Sequence, residues 1–350
     1  MEVVLPHDLR ERLRQLTERG VKVLPVPGAG AVEQAGIPGR AGAGGHAGTA
    51  GHAGHAGHAG LAELGGLEDT EVLVTGWGCP PLTRPVLDGA PRLRVVVHAA
   101  GSIKRLVTEE VWERGIVVSS AAEANAAPVA EFTLAVISLA AKSALSMAAT
   151  YAGGRWPAFS ERRGADGRTI GVIGASRIGR RVIAGLRASA AGYRVLLYDP
   201  YVTEQDAVRM GVERVAWLAD LCRAADIVTV HAPETPETYR LLDDRHLAMI
   251  PDGGTVINTA RGSLVDTAAL ERECGLGRLN AWLDVTDPEP LARGSALLRL
   301  SNVLVTPHIA GAQGSEGRRL GAYAVEEAGR WVRGERLVGE VRREELERLA

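Results

Sequence analysis

Four side chains in the second half of the chain have types and spacing suited to chemistry. They are Arg261 in Thr259-Ala260-Arg261-Gly262, Asp284 and Glu289 in Asp284-Val285-Thr286-Asp287-Pro288-Glu289, and His308 in Thr306-Pro307-His308. Taken singly, each has a plainer reading: a solvated turn arginine, surface carboxylates, a capping histidine. Arg261, Glu289 and His308 each follow a separate short apolar run that reads as a strand, and Asp284 lies near Glu289, which puts all four on one sheet edge. Reduction of a 2-keto acid needs a cation for the carboxylate, a proton donor for the developing alkoxide and a hydride source. Arginine's planar fork suits a carboxylate. Histidine is the natural proton donor near neutral pH, and a carboxylate beside it orients the ring.

The hydride source must be positioned by other elements, and Thr169–Gly179, TIGVIGASRIG, supplies the pattern. The run Ile170, Val172, Ile173 predicts a buried parallel strand, and a helix over Arg177–Ser189 follows. A second run, Tyr193–Tyr198, ends in Asp199. Strand, glycine turn, helix, strand and acid is the dinucleotide-binding pattern. Gly174 allows the tight turn and Gly179 close packing of helix on strand, while Ser176 stands where a middle glycine is usual. The helix start, with Arg177 and Ile178, offers N–H groups to a pyrophosphate, and Asp199 would accept the ribose hydroxyls of NAD. Asp226–Val230, leading into His231-Ala232-Pro233, and Thr255–Asn258, leading into Thr259-Ala260, place further candidate cofactor residues on the same edge. Leu279–Leu283 precedes Asp284, and Asn302–Val305 precedes Thr306.

The chain has 350 residues and a net charge of −2, enough for two domains and without the basic footprint of a nucleic-acid binder. Cys79, Cys222 and Cys274 lack disulfide or metal spacing, which fits a reducing cytoplasm. The start of the chain has no secretory-signal layout. Val129–Ala152, interrupted by Glu131 and Lys142, is expected to be a buried helix rather than a membrane span. Residues 28–60 are rich in Gly, Ala and His and are expected to form a disordered loop in the first domain, of which residues 40–60 are expected to be dispensable for catalysis. Its His46, His52, His55 and His58 are read as a passive tract, so no metal site is expected. Around it, Arg10–Arg19 is expected to be helical, and Val21–Val26, Val72–Thr75, Leu93–His98 and Ile116–Ser119 to be strands. Ligands lie at strand carboxyl ends in open α/β sheets. The loops carrying Trp77 and Gly78, and Ala100, Gly101 and Ser102, are therefore candidate substrate loops, with Trp77, Ala99, Ala100 and Gly101 as an apolar wall. Lys104 and Arg105 would suit an anionic tail. Helix Gly314–Val332 is expected to carry the chain back to the first domain.

The segments GVIGASRIGR, HAPETPET, INTARGSLVDTAAL, LDVTDPEPL and VLVTPHIAG, in this order, resemble the D-isomer-specific 2-hydroxyacid dehydrogenases. The resemblance runs from about Val72 to Leu349. It implies an α/β protein of two domains: a Rossmann-type doubly wound parallel sheet over 125–309, and a smaller flavodoxin-like substrate domain over 1–124 and 310–350. It also implies an active site between the domains. By resemblance Arg261 binds substrate carboxylate and carbonyl, His308 is the acid/base paired to Glu289, and Asp284 holds the nicotinamide carboxamide. VAEFTLAVISLAAKS resembles the helix that builds the family's dimer, so a cytoplasmic homodimer is expected. Glutamate at 289 argues against formate as substrate. HAAGSIKRLV departs from the family's more glycine-rich second loop, the family's first strand is expected to be missing or short before Val3, and no regulatory domain is expected after Leu349. The expected activity is hydride transfer between NAD(H) and a 2-keto or D-2-hydroxy acid, with neither nucleic acid nor membrane as partner. A non-enzymatic NAD-binding regulator, like the corepressors that resemble this family, is the alternative.

Overall fold

The computed structural model describes residues 4–17, 23–25 and 67–348. The segment 28–60 with its four histidines, and the stretch before Val3, lie outside the described residues. The chain divides into two compact units: Met1–Ala124 with Gly314–Leu346, and Asn125–Gln313 with Glu347–Ala350.

Numbered along the chain, the first unit holds α1 (His7–Thr17), β1 (Val23–Pro25), β2 (Val72–Thr75), α2 (Arg84–Asp88), β3 (Val95–His98), α3 (Glu109–Glu113) and β4 (Val117–Ser120), with α11 (Gly317–Val332) and β12 (Glu340–Val341) completing it. The sheet order is β1-β2-β3-β4-β12. The first four strands are parallel, and β12 runs antiparallel to β4. All four residues of β2 and of β3 are buried, as expected of parallel strands covered on both faces. Leu9 and Leu13 of α1 and Ala324, Val325 and Ala328 of α11 pack on Val72, Val74, Val95 and Val97. Helix α1 starts three residues earlier than the apolar pattern predicts, because the Pro6 carbonyl already accepts from the Leu9 and Arg10 N–H groups. Glu327 of α11 is 1 % exposed. Its carboxylate accepts from Ser119 Oγ (2.6 Å) and from the N–H groups of Val338 and Gly339 (3.0 Å each), joining β4 to the segment that becomes β12.

The second unit contains α4 (Ala122–Ala141), α5 (Ala144–Ala152), β5 (Thr169–Ile173), α6 (Arg177–Ala188), β6 (Arg194–Tyr198), α7 (Glu204–Met210), β7 (Glu213–Arg214), α8 (Leu218–Ala224), β8 (Ile227–Val230), α9 (Asp244–Met249), β9 (Thr255–Asn258), α10 (Thr267–Gly275), β10 (Asn280–Leu283) and β11 (Val303–Val305). Its seven strands are parallel in the order β11-β10-β9-β8-β5-β6-β7. The order reverses between β5 and β8, and such a switch point opens the crevice that binds ligands in these sheets. Ile170 and Val172 face Val182, Ile183 and Leu186 of α6 and Val136 and Ile137 of α4. On the opposite face Ile173 and Val228 meet Leu218 and Leu221 of α8.

One helical expectation is corrected. The apolar stretch 129–152 is two helices, broken at Ser143, whose φ of 53° is left-handed. Helix α5 buries none of its residues. Helix α4 is long and apolar enough to cross a membrane by length and composition, but half of it is buried within the protein, including Ile137 and Ala141.

Candidate active site

The glycine turn after β5 meets the loop after β8 at the switch point. Gly174 has φ 91°, and a Cβ there would lie 2.7 Å from the Ala232 nitrogen, so only glycine admits this approach. A Cβ on Gly179 would lie 2.1 Å from the Gly174 carbonyl oxygen. Ser176 caps α6, its Oγ accepting from the Gly179 N–H (3.3 Å). The hydroxyl that replaces a glycine therefore has a structural role, and the N–H groups of Arg177 and Ile178, in the first turn, point out of the helix start. Asp199 accepts from the Ala175 N–H (2.7 Å) and the Tyr201 N–H (2.8 Å), one bond to each oxygen. It thus ties the glycine turn to the end of β6 and keeps further lone pairs for hydroxyl donors. His231 is buried, and burial pushes its pKa down to about 3, so the ring is neutral. Its Nε2 pairs with Thr229 Oγ1 (3.0 Å), while Nδ1 is buried with no hydrogen-bond partner among the described residues. A cradle that excludes any Cβ and an orphaned buried ring nitrogen both fit a dinucleotide lying across the switch point. Ala232 is buried, and Pro233 is fixed through its carbonyl, which accepts from Thr238 Oγ1 (2.7 Å).

Arg261 follows β9 in an extended conformation. Asn258 holds the turn from both sides: its Nδ2 donates to the Arg261 carbonyl (2.8 Å) and its Oδ1 accepts from the Ala260 N–H (3.0 Å). Thr133 Oγ1 donates to the Val129 carbonyl, so its contact with Thr259 Oγ1 (2.8 Å) is one in which Thr259 donates, locking this strand end to α4. A Cβ on Gly262 would lie 2.0 Å from the Thr286 carbonyl, so the arginine loop is seated directly on the segment leading to Glu289. Gly262→Ala is expected to push these segments apart. The strain should lower the thermal unfolding midpoint, measurable by a melting curve.

His308 Nδ1 and Glu289 Oε1 are 2.7 Å apart, with both side chains about half exposed. His308 has φ 54°, a left-handed backbone that few residues with a side chain adopt and that Asn, Asp and His reach more readily than others. Its N–H donates to the Asp284 carbonyl (2.9 Å). The Asp284 carboxylate, 3 % exposed, accepts from Thr306 Oγ1 (2.6 Å), the Ile309 N–H (2.8 Å) and the Ala310 N–H (2.8 Å). One buried carboxylate thus fixes the chain on both sides of the histidine, and strain at such a position persists because its surroundings over-determine it.

In the first unit, Trp77 is 46 % exposed and Gly78 has φ 78°. Ala99 and Ala100 correct the expected apolar wall: they are 2 % and 0 % exposed, so their side chains offer no surface. What remains accessible in that loop is Gly101 and Ser102, both partly exposed. Ser120 Oγ donates to the carbonyls of Gly101 (2.7 Å) and Ala100 (3.2 Å) and accepts from the Ala122 N–H (3.1 Å). Among the described residues no group of three His, Cys, Asp or Glu side chains is placed to hold a metal.

Residues 134–310 match the NAD-binding domain of the D-isomer specific 2-hydroxyacid dehydrogenases. The chain belongs to that family. D-3-phosphoglycerate dehydrogenase of Methanocaldococcus jannaschii is 34% identical over 272 residues, which cover 77% of this chain and 51% of that enzyme. The chain spans about half the length of the curated phosphoglycerate dehydrogenases it matches. Glyoxylate reductase of Korarchaeum cryptofilum is 31% identical over 261 residues, 73% of this chain and 78% of the relative. Among solved structures, the TT0316 protein of Thermus thermophilus superposes with a TM-score of 0.71 at 30% identity, covering 95% of this chain and 96% of that one. D-lactate dehydrogenase of Aquifex aeolicus, solved with NAD and lactic acid, gives 0.61 at 28% identity, covering 77% and 85%.

Proposed function

We propose that this chain is an NAD-dependent D-2-hydroxyacid dehydrogenase that interconverts a 2-keto acid and the corresponding D-2-hydroxy acid. The observation that carries the reading is the His308–Glu289 pair, 2.7 Å apart, on a loop fixed by buried Asp284 at the carboxyl edge of the sheet whose switch point fits a dinucleotide. Bound there, NADH supplies the hydride. His308 gives the substrate carbonyl oxygen its proton, and Glu289 holds the ring. Arg261 grips the carboxylate; within the first unit, the accessible main chain of Gly101 and Ser102 and the loop of Trp77 and Gly78 are the candidate substrate loops. For Asp284 the holding of the histidine loop is assigned alongside the nicotinamide contact that the family resemblance implies.

NADH oxidation with a panel of 2-keto acids tests the reading. A protein that binds NADH yet turns over none of them would be a regulator instead. Lysine at 261 keeps the charge but not the planar fork, so Arg261→Lys is expected to cost about 1.5–3 kcal/mol of transition-state stabilisation. An unchanged kcat/KM in the folded variant would remove Arg261 from the site. NADH is expected to outperform NADPH in kcat/KM, because the Asp199 carboxylate repels a 2′-phosphate and no arginine follows in Pro200-Tyr201-Val202-Thr203. Equal efficiency with both cofactors would exclude this role for Asp199. The exposed Tyr151, Trp156 and Phe159 beside unburied α5 support a homodimer, to be checked by light scattering. Three free thiols support a cytoplasmic location, and the near-neutral charge supports a small molecule rather than nucleic acid as partner.

A further inference from the structure

We propose that His98 is a positioning residue for substrate: its buried ring ties the end of β2 to the loop after β3 and so sets the Gly101–Ser102 main chain that meets the keto acid. This rests on the dehydrogenase reading above. His98 ends β3, and its register partner on β2 is Thr75. The ring is 4 % exposed, and its Nδ1 lies 2.9 Å from Thr75 Oγ1. The Ser102 backbone is its other hydrogen-bonding partner. A neutral imidazole has one donor and one acceptor, and two partners satisfy both. Burial pushes the ring's pKa down to about 4, so it carries no charge at working pH and transfers no proton in the reaction.

The loop is thus held from two sides. Ser120 draws in the carbonyls of Ala100 and Gly101, and His98 fixes Ser102 one residue further on. With these carbonyls turned inward, the N–H groups of Gly101 and Ser102 make no hydrogen bond among the described residues, and both residues are partly exposed. Aligned main-chain N–H groups of this kind suit a carboxylate. Thr75 is also the residue before Gly76-Trp77-Gly78, so one ring joins both candidate substrate loops.

His98→Leu removes both bonds at similar volume, and Thr75→Val removes one of them without changing shape. In His98→Leu, KM for the keto acid is expected to rise about tenfold, the loss of one well-placed hydrogen bond to a charged group. Its kcat, its NADH affinity and the pH limb set by His308 should stay near wild type. Hydrogen exchange should quicken in residues 99–106 while β3 stays protected. Thr75→Val should move both readouts the same way by less, and it decides the matter if the leucine variant fails to fold. Unchanged KM and unchanged exchange in a folded variant would overturn the proposal. If the wild type reduces no keto acid, the dehydrogenase reading fails, and exchange in 99–106 still decides whether His98 holds the loop.

Discussion

His308→Ala is expected to lower kcat/KM for keto-acid reduction by about 10²–10⁴-fold, the usual range for an acid/base group. The fold should be unaffected, because the His308 and Glu289 side chains are half exposed and an ion pair so placed contributes little stability. Reduction needs the ring protonated, and oxidation needs it neutral. The rate of reduction should therefore be high at low pH and fall as the ring loses its proton, and oxidation should show the opposite limb. Glu289→Gln keeps the shape beside Nδ1 but replaces a pure acceptor with an amide that can also donate, so the ring loses its fixed orientation and kcat/KM for reduction should fall. Profiles in both directions for wild type and the two variants check this. An unchanged kcat/KM in the glutamine variant would separate Glu289 from the proton transfer.

The second large effect lies in the first unit. Glu327→Ala removes a carboxylate that is 1 % exposed and leaves Ser119 Oγ and the Val338 and Gly339 N–H groups without their acceptor. Breaking a buried charged network in this way costs about 3–5 kcal/mol. Urea denaturation should show an earlier transition for the first unit, with kcat/KM of the remaining native protein unchanged. A midpoint matching wild type, within about 0.5 kcal/mol, would mean that the β12 segment is held by other contacts.

Much of this was legible from residue patterns. The apolar runs before Gly174, His231, Thr259, Asp284 and Thr306 all became parallel strands of one sheet, the central ones almost wholly buried and β10 and β11 toward its edge partly exposed, with polar residues collected just beyond their ends. The pairing of His308 with Glu289 was implied by family resemblance, and the geometry places the two together. Other features left no mark. The break at Ser143 lacks glycine or proline, and the left-handed backbone of His308 is imposed by Asp284 from another strand. Strands β7 and β12 have two residues each, too few for any periodicity. The burial of Ala100 depends on how the loop after β3 turns, which is set by Ser120, distant in sequence. Asn258 and His98 stand inside strand ends that read simply as apolar runs, so nothing in the pattern marks them.

The arrangement of Glu327 also bears on how the protein is made. Its partner Ser119 is separated from it by 208 positions, with the whole of Asn125–Gln313 between them. A ribosome delivers the chain from its first residue onward, and domains fold as units as they emerge. The nucleotide-binding sheet can therefore close before α11 has been synthesised. Until then, β4 waits with a bare edge, an open invitation to pair with another nascent chain. The segment carrying α11 and β12 is what ends that vulnerable interval. Yield of native protein from synthesis should thus depend on Glu327 more steeply than its activity does.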